Sequence, residues 1–210
     1  MTRTIQVSLL SDGSSDRQLL PLIEWVLRQF TSAPIRSTWA NLSVLGERPR
    51  TLTERVRSAL EFYPCDILFI HRDAEGEAWE ARRNEIRRAV ESVPDIRYVG
   101  VVPVRMQEAW FLFNERALRY AADNPNGSVR LTLPALNRVE QLPDPKEVLF
   151  SLLRQASEYR GRRLKQFRPQ HHAYRLGELV QDFSPLRQLE AFRHFESEAR
   201  VAISSIEAPP

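Results

Sequence analysis

Cysteine occurs once, at Cys65, so no internal disulfide and no cysteine-rich zinc site can form. The seven glycines are too few and too scattered for a phosphate loop: neither G-x-G-x-x-G nor G-x-x-x-x-G-K-[ST] occurs. No run approaches the ~18 apolar residues of a membrane span, and the segment from Met1 to Ile5 lacks a signal peptide's apolar stretch. The expectation is a cytoplasmic protein with no membrane contact. Lysine is almost missing as well: of 30 basic residues, all but Lys146 and Lys165 are arginine, whose planar fork suits phosphates and carboxylates. What remains is ordinary for a globule. With 210 residues, 42% apolar and 27% charged, the chain can bury a core of its own and is not disordered.

Strand and helix patterns alternate through the first half. Thr4–Ser11 is β-branched and apolar, and Asp12-Gly13-Ser14-Ser15 is a turn with helix-capping serines. A helix is predicted over Asp16–Phe30, with Leu19, Leu20, Ile23, Val26, Leu27 and Phe30 on one face. A second strand is expected within Ile35–Leu45, then a helix from Thr51 or Thr53 to near Pro64. Asp66–His71 carries four consecutive apolar residues, the pattern of a strand buried on both faces. A helix over Glu77–Val93, a strand over Ile96–Val104 and a helix over Gln107–Ala122 follow. This order predicts an α/β fold: an open, mostly parallel sheet flanked by helices, with a helical C-terminal extension. The domain organisation expected is an α/β domain over 1–123, a proline-punctuated linker over 124–144, and an extension over 145–210 packed on the first part. The extension reads as helices over Pro145–Tyr159, His172–Gln181 and Ser184–Ile203.

In open parallel sheets, functional groups collect outside the carboxyl ends of the strands. The polar residues expected there are Asp12 and Asp16, then Asp73 and Glu75, then Arg105, Gln107 and Glu108. Each acid alone is also explained as a turn, a cap or a charge favoured by a helix dipole. Together, five carboxylates on one edge would need protons or a cation among them. Hard oxygen ligands suit Mg²⁺ or Mn²⁺, and such ions engage phosphates. Metal-assisted phosphodiester chemistry is the natural expectation.

Two segments carry a resemblance: Val7-Ser8-Leu9-Leu10-Ser11-Asp12-Gly13-Ser14-Ser15-Asp16, and Ile67-Leu68-Phe69-Ile70-His71-Arg72-Asp73-Ala74-Glu75. A strand with an acid-Gly-x-x-acid turn, then an apolar strand ending in D-x-[DE], resembles the Toprim fold of topoisomerases, bacterial primases and OLD-type nucleases. The run Val102–Leu112 (VPVRMQEAWFL) and the segment Asp144–Leu149 (DPKEVL) look like a bacterial Toprim-like family associated with ATPases in anti-phage and mobile-element contexts. The resemblance spans roughly Ile5 to Phe195. It implies Asp12 and Glu108 as catalytic acids, and Asp73, Glu75 and Asp16 as ligands of Mg²⁺ or Mn²⁺. Two positions depart from it: Asp12 stands where glutamate is usual, and Glu75 where aspartate is.

The charge excess lies near the C-terminus. Residues 1–150 hold twenty basic and twenty acidic residues; residues 154–175 hold seven basic residues against Glu158 alone. Tyr159, Phe167 and Tyr174 are interleaved, a mixture that suits a nucleic-acid backbone and its bases. Arg160, Arg162, Arg163, Lys165 and Arg168 are the candidate phosphate contacts; a solvated basic loop or an acidic partner protein also fits them. His71 beside Asp73 reads as a satisfied neighbour, Cys65 as a structural thiol, and Trp110-Phe111-x-Phe113 as core. The function expected is a metal-dependent nuclease or related phosphoryl-transfer enzyme on DNA or RNA. By resemblance it would be the effector of an ATPase-linked anti-phage system. The alternative is a non-catalytic Toprim-derived binding or regulatory subunit of an ATPase complex.

Overall fold

A computed structural model describes residues 3–46, 49–93 and 95–207. Strands β1 (Ile5–Leu10), β2 (Ile35–Trp39), β3 (Ile67–His71) and β4 (Tyr98–Val101) form one parallel sheet in the order β2-β1-β3-β4. The central pair ends level, with Leu10 opposite Ile70, and His71 lies opposite Val101 of β4. β3 is buried at every position. Its side chains alternate between two apolar layers: Ile67 and Phe69 face one, Leu68 and Ile70 the other.

Helices α2 (Leu52–Phe62) and α3 (Trp79–Glu91) cover the second layer through Val56, Ala59, Ile86, Ala89 and Val90. The other face is covered by α1 (Leu19–Leu27) together with the C-terminal third of the chain. α4 (Glu115–Ala121) precedes that third, which contains α5 (Pro145–Ser157), α6 (Gly161–Gln166), α7 (Pro169–Ala173), α8 (Leu176–Leu179) and α9 (Glu190–Glu207). Phe195 of α9 meets Phe69 of β3 edge-on at 6.2 Å, and Phe192 meets the fully buried Trp110 at 5.5 Å. Residues 145–207 therefore complete the core of the sheet's own domain. The segment 124–143 joins them with a 3-10 turn over Leu136–Gln141, which buries Val139 completely. The outermost two and three residues of the expected divisions 1–123 and 145–210 lie outside the described residues. No helix among the described residues is long and apolar enough to cross a membrane.

Several elements differ from the sequence pattern, each for a local reason. The helix expected over Asp16–Phe30 begins as a 3-10 turn, Ser14–Gln18, where the Asp16 carboxylate bonds back to the Gly13 N–H. The helix expected over Gln107–Ala122 is a 3-10 turn, Gln107–Phe111, then α4. Between them Asn114 turns out of helical geometry and caps Ala117 at 2.9 Å. β2 stops at Trp39, because Asn41 caps the next turn by accepting from the Ser43 N–H. In place of one helix over His172–Gln181 the chain has the end of α7 and then α8; α6 and α7 begin earlier, at Gly161 (φ 54°) and at Pro169. Leu189 is extended, so the last predicted helix begins only at Glu190.

β4 is an edge strand whose outward N–H groups need partners. Glu198 of α9 accepts from the Gly100 N–H at 3.0 Å and from Arg83 at 2.6 Å.

Candidate active site

β2 and β3 lie on opposite sides of β1, so the chain's winding reverses between β1 and β3. Such a switch opens a crevice at the carboxyl ends of the two strands. The loops after β1 and β3 meet there, and the loop after β4 closes in beside them. The segments following β3 and β4 keep running side by side: the N–H groups of Arg72, Ala74 and Glu75 donate to the carbonyls of Val101, Pro103 and Arg105 at 3.2, 3.3 and 2.9 Å.

Gln107 ties the three loops together. Its backbone N–H donates to Asp73 Oδ1 at 2.9 Å and its side-chain amide to Asp16 Oδ1 at 2.6 Å. It is buried, and its own Oε1 has no hydrogen-bond partner among the described residues. Asp16 is buried and heavily used: besides Gln107 it accepts from the Gly13 N–H at 2.9 Å and the Ser15 hydroxyl at 3.1 Å. Asp73 keeps Oδ2 free of donors among the described residues. Burial raises its pKa above the usual carboxylate range; the charges of Asp16 and Glu75 add to this, and His71 and the Gln107 N–H oppose it. His71 donates from Nδ1 to the Val101 carbonyl at 2.8 Å, which leaves Nε2 3.5 Å from Asp73 Oδ1.

Glu108 follows Gln107 into the same pocket of charge, with only 7% of its side chain exposed. Burial raises its pKa, and the charges of Asp73 and Asp16 raise it further. Lys146 opposes this from 4.0 Å. That lysine sits in the first turn of α5, where a cation works against the helix dipole. Its position serves Glu108 rather than its own helix. The signal was available in the sequence, since Lys146 is one of only two lysines and sits at a predicted helix start.

The structure thus brings together Asp16, Asp73 and Glu108. Two other expected site residues stand at the margin: Asp12, and Glu75, whose charge still acts on Asp73. Asp12 is half-exposed and forms ion pairs with Arg55 of α2 and, at 3.5 Å, with Arg72; Arg55 also donates to the Ser11 carbonyl. Asp12 lines a separate cleft of about 390 Å³ with Trp39, Asn41, Arg50 and Arg55. Glu75 is exposed, on a left-handed residue (φ 57°). Among the described residues, no group of three or more His, Cys, Asp or Glu side chains is disposed to hold a metal ion.

Of the basic candidates, Arg160, Arg162, Arg163, Lys165 and Arg168 are all exposed on or beside α6, and none is ion-paired among the described residues. Phe167 anchors this arm, packed edge-on to Tyr159 at 5.9 Å and stacked on His172 at 4.1 Å. Beyond it, the Tyr174 hydroxyl donates to the Ser14 carbonyl at 2.7 Å, and Gly177 packs against the backbone of Gln18. The base of the arm therefore touches the loop that carries Asp16.

No protein-family model matches the chain, and neither a curated protein nor a solved structure is similar to it. The Toprim resemblance rests on the short motifs quoted above, and the parallel α/β sheet is consistent with it.

Proposed function

We propose that the chain is a metal-dependent phosphodiester hydrolase acting on nucleic acid, with its centre at Asp73 and Glu108. One observation carries this reading. Two carboxylates at adjacent strand ends, the buried Glu108 and the partly buried Asp73, are crowded together with Asp16, and among the described residues the one cation paired with Glu108 is a half-exposed lysine 4.0 Å away. Such a group attracts protons or a hard cation.

The donors fit Mg²⁺ or Mn²⁺ in charge and in kind. Asp73 and Glu108 would hold the ion, since the oxygens of Asp16 are already bonded to Gly13, Ser15 and Gln107. A site with two protein carboxylates and no closed cage agrees with the preference of these ions for water and phosphate oxygens as remaining ligands. Bound there, the ion would supply Lewis-acid stabilisation of a phosphoryl oxygen and an acidified water. The chain's own part is to fix the acids: Gln107 orients Asp73, and Lys146 is available to a developing phosphate charge. The basic arm would hold the phosphate backbone, and Tyr174 ties that arm to the acidic edge.

The test uses purified protein with single-stranded and duplex DNA and with RNA, in Mn²⁺, Mg²⁺ or EDTA. Metal-dependent cleavage is expected, with a loss of about 100-fold or more in Asp73→Asn. Cleavage that persists in EDTA, or that is unchanged in Asp73→Asn, refutes the assignment. A second reading is favoured by Asp12, which pairs with Arg55 and Arg72 instead of facing the other acids. It makes the chain a non-catalytic regulatory subunit of an ATPase, and it predicts no turnover on any of these substrates and no Mn²⁺ uptake by calorimetry.

A further inference from the structure

Seven arginines among the described residues are half-buried or deeper, and six of them are ion-paired. Arg55 and Arg72 hold Asp12; Arg82 holds Glu77 and Glu85. Arg83 holds Glu198, Arg119 holds Glu115, and Arg154 holds Glu147. The seventh, Arg105, is partly buried, yet its guanidinium has neither an ion pair nor a hydrogen bond among the described residues. Taking a cation out of water without a partner costs free energy. An unpaired arginine in this setting is a place where the fold leaves room for an anion.

Its location says which anion. Arg105 lies on the loop after β4, two residues before Gln107 and three before Glu108. Its carbonyl accepts from the Glu75 N–H at 2.9 Å. One guanidinium nitrogen, Nη1, lies 3.8 Å from where a Cβ on Gly76 would stand, so the side chain reaches over the turn that follows Asp73. A free cation and two crowded acids, the partly buried Asp73 and the buried Glu108 with only a half-exposed Lys146 at 4.0 Å, therefore share one sheet edge, and Arg105 pairs with neither acid among the described residues. Had they paired, both charge problems would vanish within the protein. Left apart, they match a ligand that carries both signs, a metal ion with a phosphate.

We propose that Arg105 is a substrate-binding residue that takes a phosphate group of the nucleic acid beside the acid centre. The inference rests on the proposed hydrolase reading for the identity of the phosphate's owner, but the anion site itself does not need the reaction. Bidentate N–H donation from the fork to two phosphate oxygens is the recognition mode, so lysine is not an adequate replacement.

The experiment is done in EDTA, without turnover. Binding of a fluorescein-labelled 12-nucleotide single strand is followed by anisotropy over a salt series for the parent, Arg105→Gln, Arg105→Lys and Arg88→Gln. Arg88 is an exposed arginine on α3. Arg105→Gln is expected to bind about 10-fold weaker or more, and to lose about 0.7 from the slope of log K against log salt. Arg105→Lys should restore the slope but not the full affinity, and Arg88→Gln should match the parent. Thermal melting separates function from scaffold: Arg105→Gln should melt at or above the parent temperature, because it removes an unpaired, partly buried charge. Unchanged affinity and slope in Arg105→Gln overturns the proposal, and so does a lower melting temperature with unchanged binding. A second arm uses inorganic phosphate and melting alone. If the parent binds no oligonucleotide but is stabilised by phosphate and Arg105→Gln is not, the anion site stands and the nucleic-acid reading falls. If neither probe acts on the parent, the proposal falls too.

Discussion

Replacing Glu108 by glutamine is expected to stabilise the folded chain at pH 8, and the structure supplies the sign and the size. Two interactions favour the charged carboxylate: its own backbone N–H, and Lys146, 4.0 Å away and half-exposed. At that distance two charges attract by about 4 kcal/mol at an effective dielectric near 20, but a hydrated, mobile ammonium typically returns only ~1 kcal/mol. Against it stand the burial of the carboxylate and repulsion by Asp73 and Asp16. The raised pKa of Glu108 means that these opposing effects win. Glutamine keeps the shape and removes the charge, so a gain of about 0.5–2 kcal/mol follows, or ~1–8 °C in melting temperature for a chain of this size. The pH dependence has a definite direction. A carboxyl whose folded pKa lies above its unfolded value favours folding while protonated. That support is complete below the unfolded carboxylate pKa and is lost as pH rises through the raised folded value. Parent and Glu108→Gln should therefore melt together near pH 3 and separate by pH 8. Lys146→Met should cost about 1 kcal/mol at pH 8 in the parent and nothing in the Glu108→Gln background, a double-mutant cycle read by urea denaturation. A Glu108→Gln protein less stable than the parent at pH 8, or a Lys146→Met cost that is the same in both backgrounds, would refute the reasoning.

Two further substitutions probe the scaffold. Gly177→Ala would put a Cβ 2.0 Å from the Gln18 carbonyl oxygen, so α8 must move off the base of α1; a loss of about 3 kcal/mol is expected by denaturant unfolding. Glu198→Ala strips the acceptor from the Gly100 N–H and from Arg83, which should cost about 1–3 kcal/mol. Light scattering should also rise, because an uncovered edge strand pairs with other chains.

The strands were legible because their burial is one-dimensional information: Ile67–Ile70 is apolar without interruption, and only a strand inside the sheet uses such a run. Acids in the loops after such strands were legible for the same reason, which is how Asp16, Asp73 and Glu108 could be named together, although the same signal also groups Asp12 and Glu75 with them. The helices of the C-terminal third were less legible. α6, α7 and α8 are too short to show a period, and they are held by Tyr159, Phe167 and His172 packing on one another and by His172 and Tyr174 bonding the distant carbonyls of Ala121 and Ser14. The diversion of Asp12 could not be read from its turn, because the arginines that draw it away come from α2 and from the end of β3. The bracing by Gln107 was equally hidden: nothing in its local sequence says that one glutamine bonds two carboxylates on different strands.

That bracing has a mechanical consequence. A residue that bonds Asp73 through its main chain and Asp16 through its side chain cannot be displaced without shifting both. Glu108 is its covalent neighbour, so anything that pulls on the Glu108 carboxylate pulls the same lever. The three loops are thereby tied through one residue. A ligand seated at Glu108 would be felt at the Gly13–Ser15 turn, where Tyr174 rests its hydroxyl. By linkage, any ligand that biased that turn would change the affinity at Glu108 by the same factor.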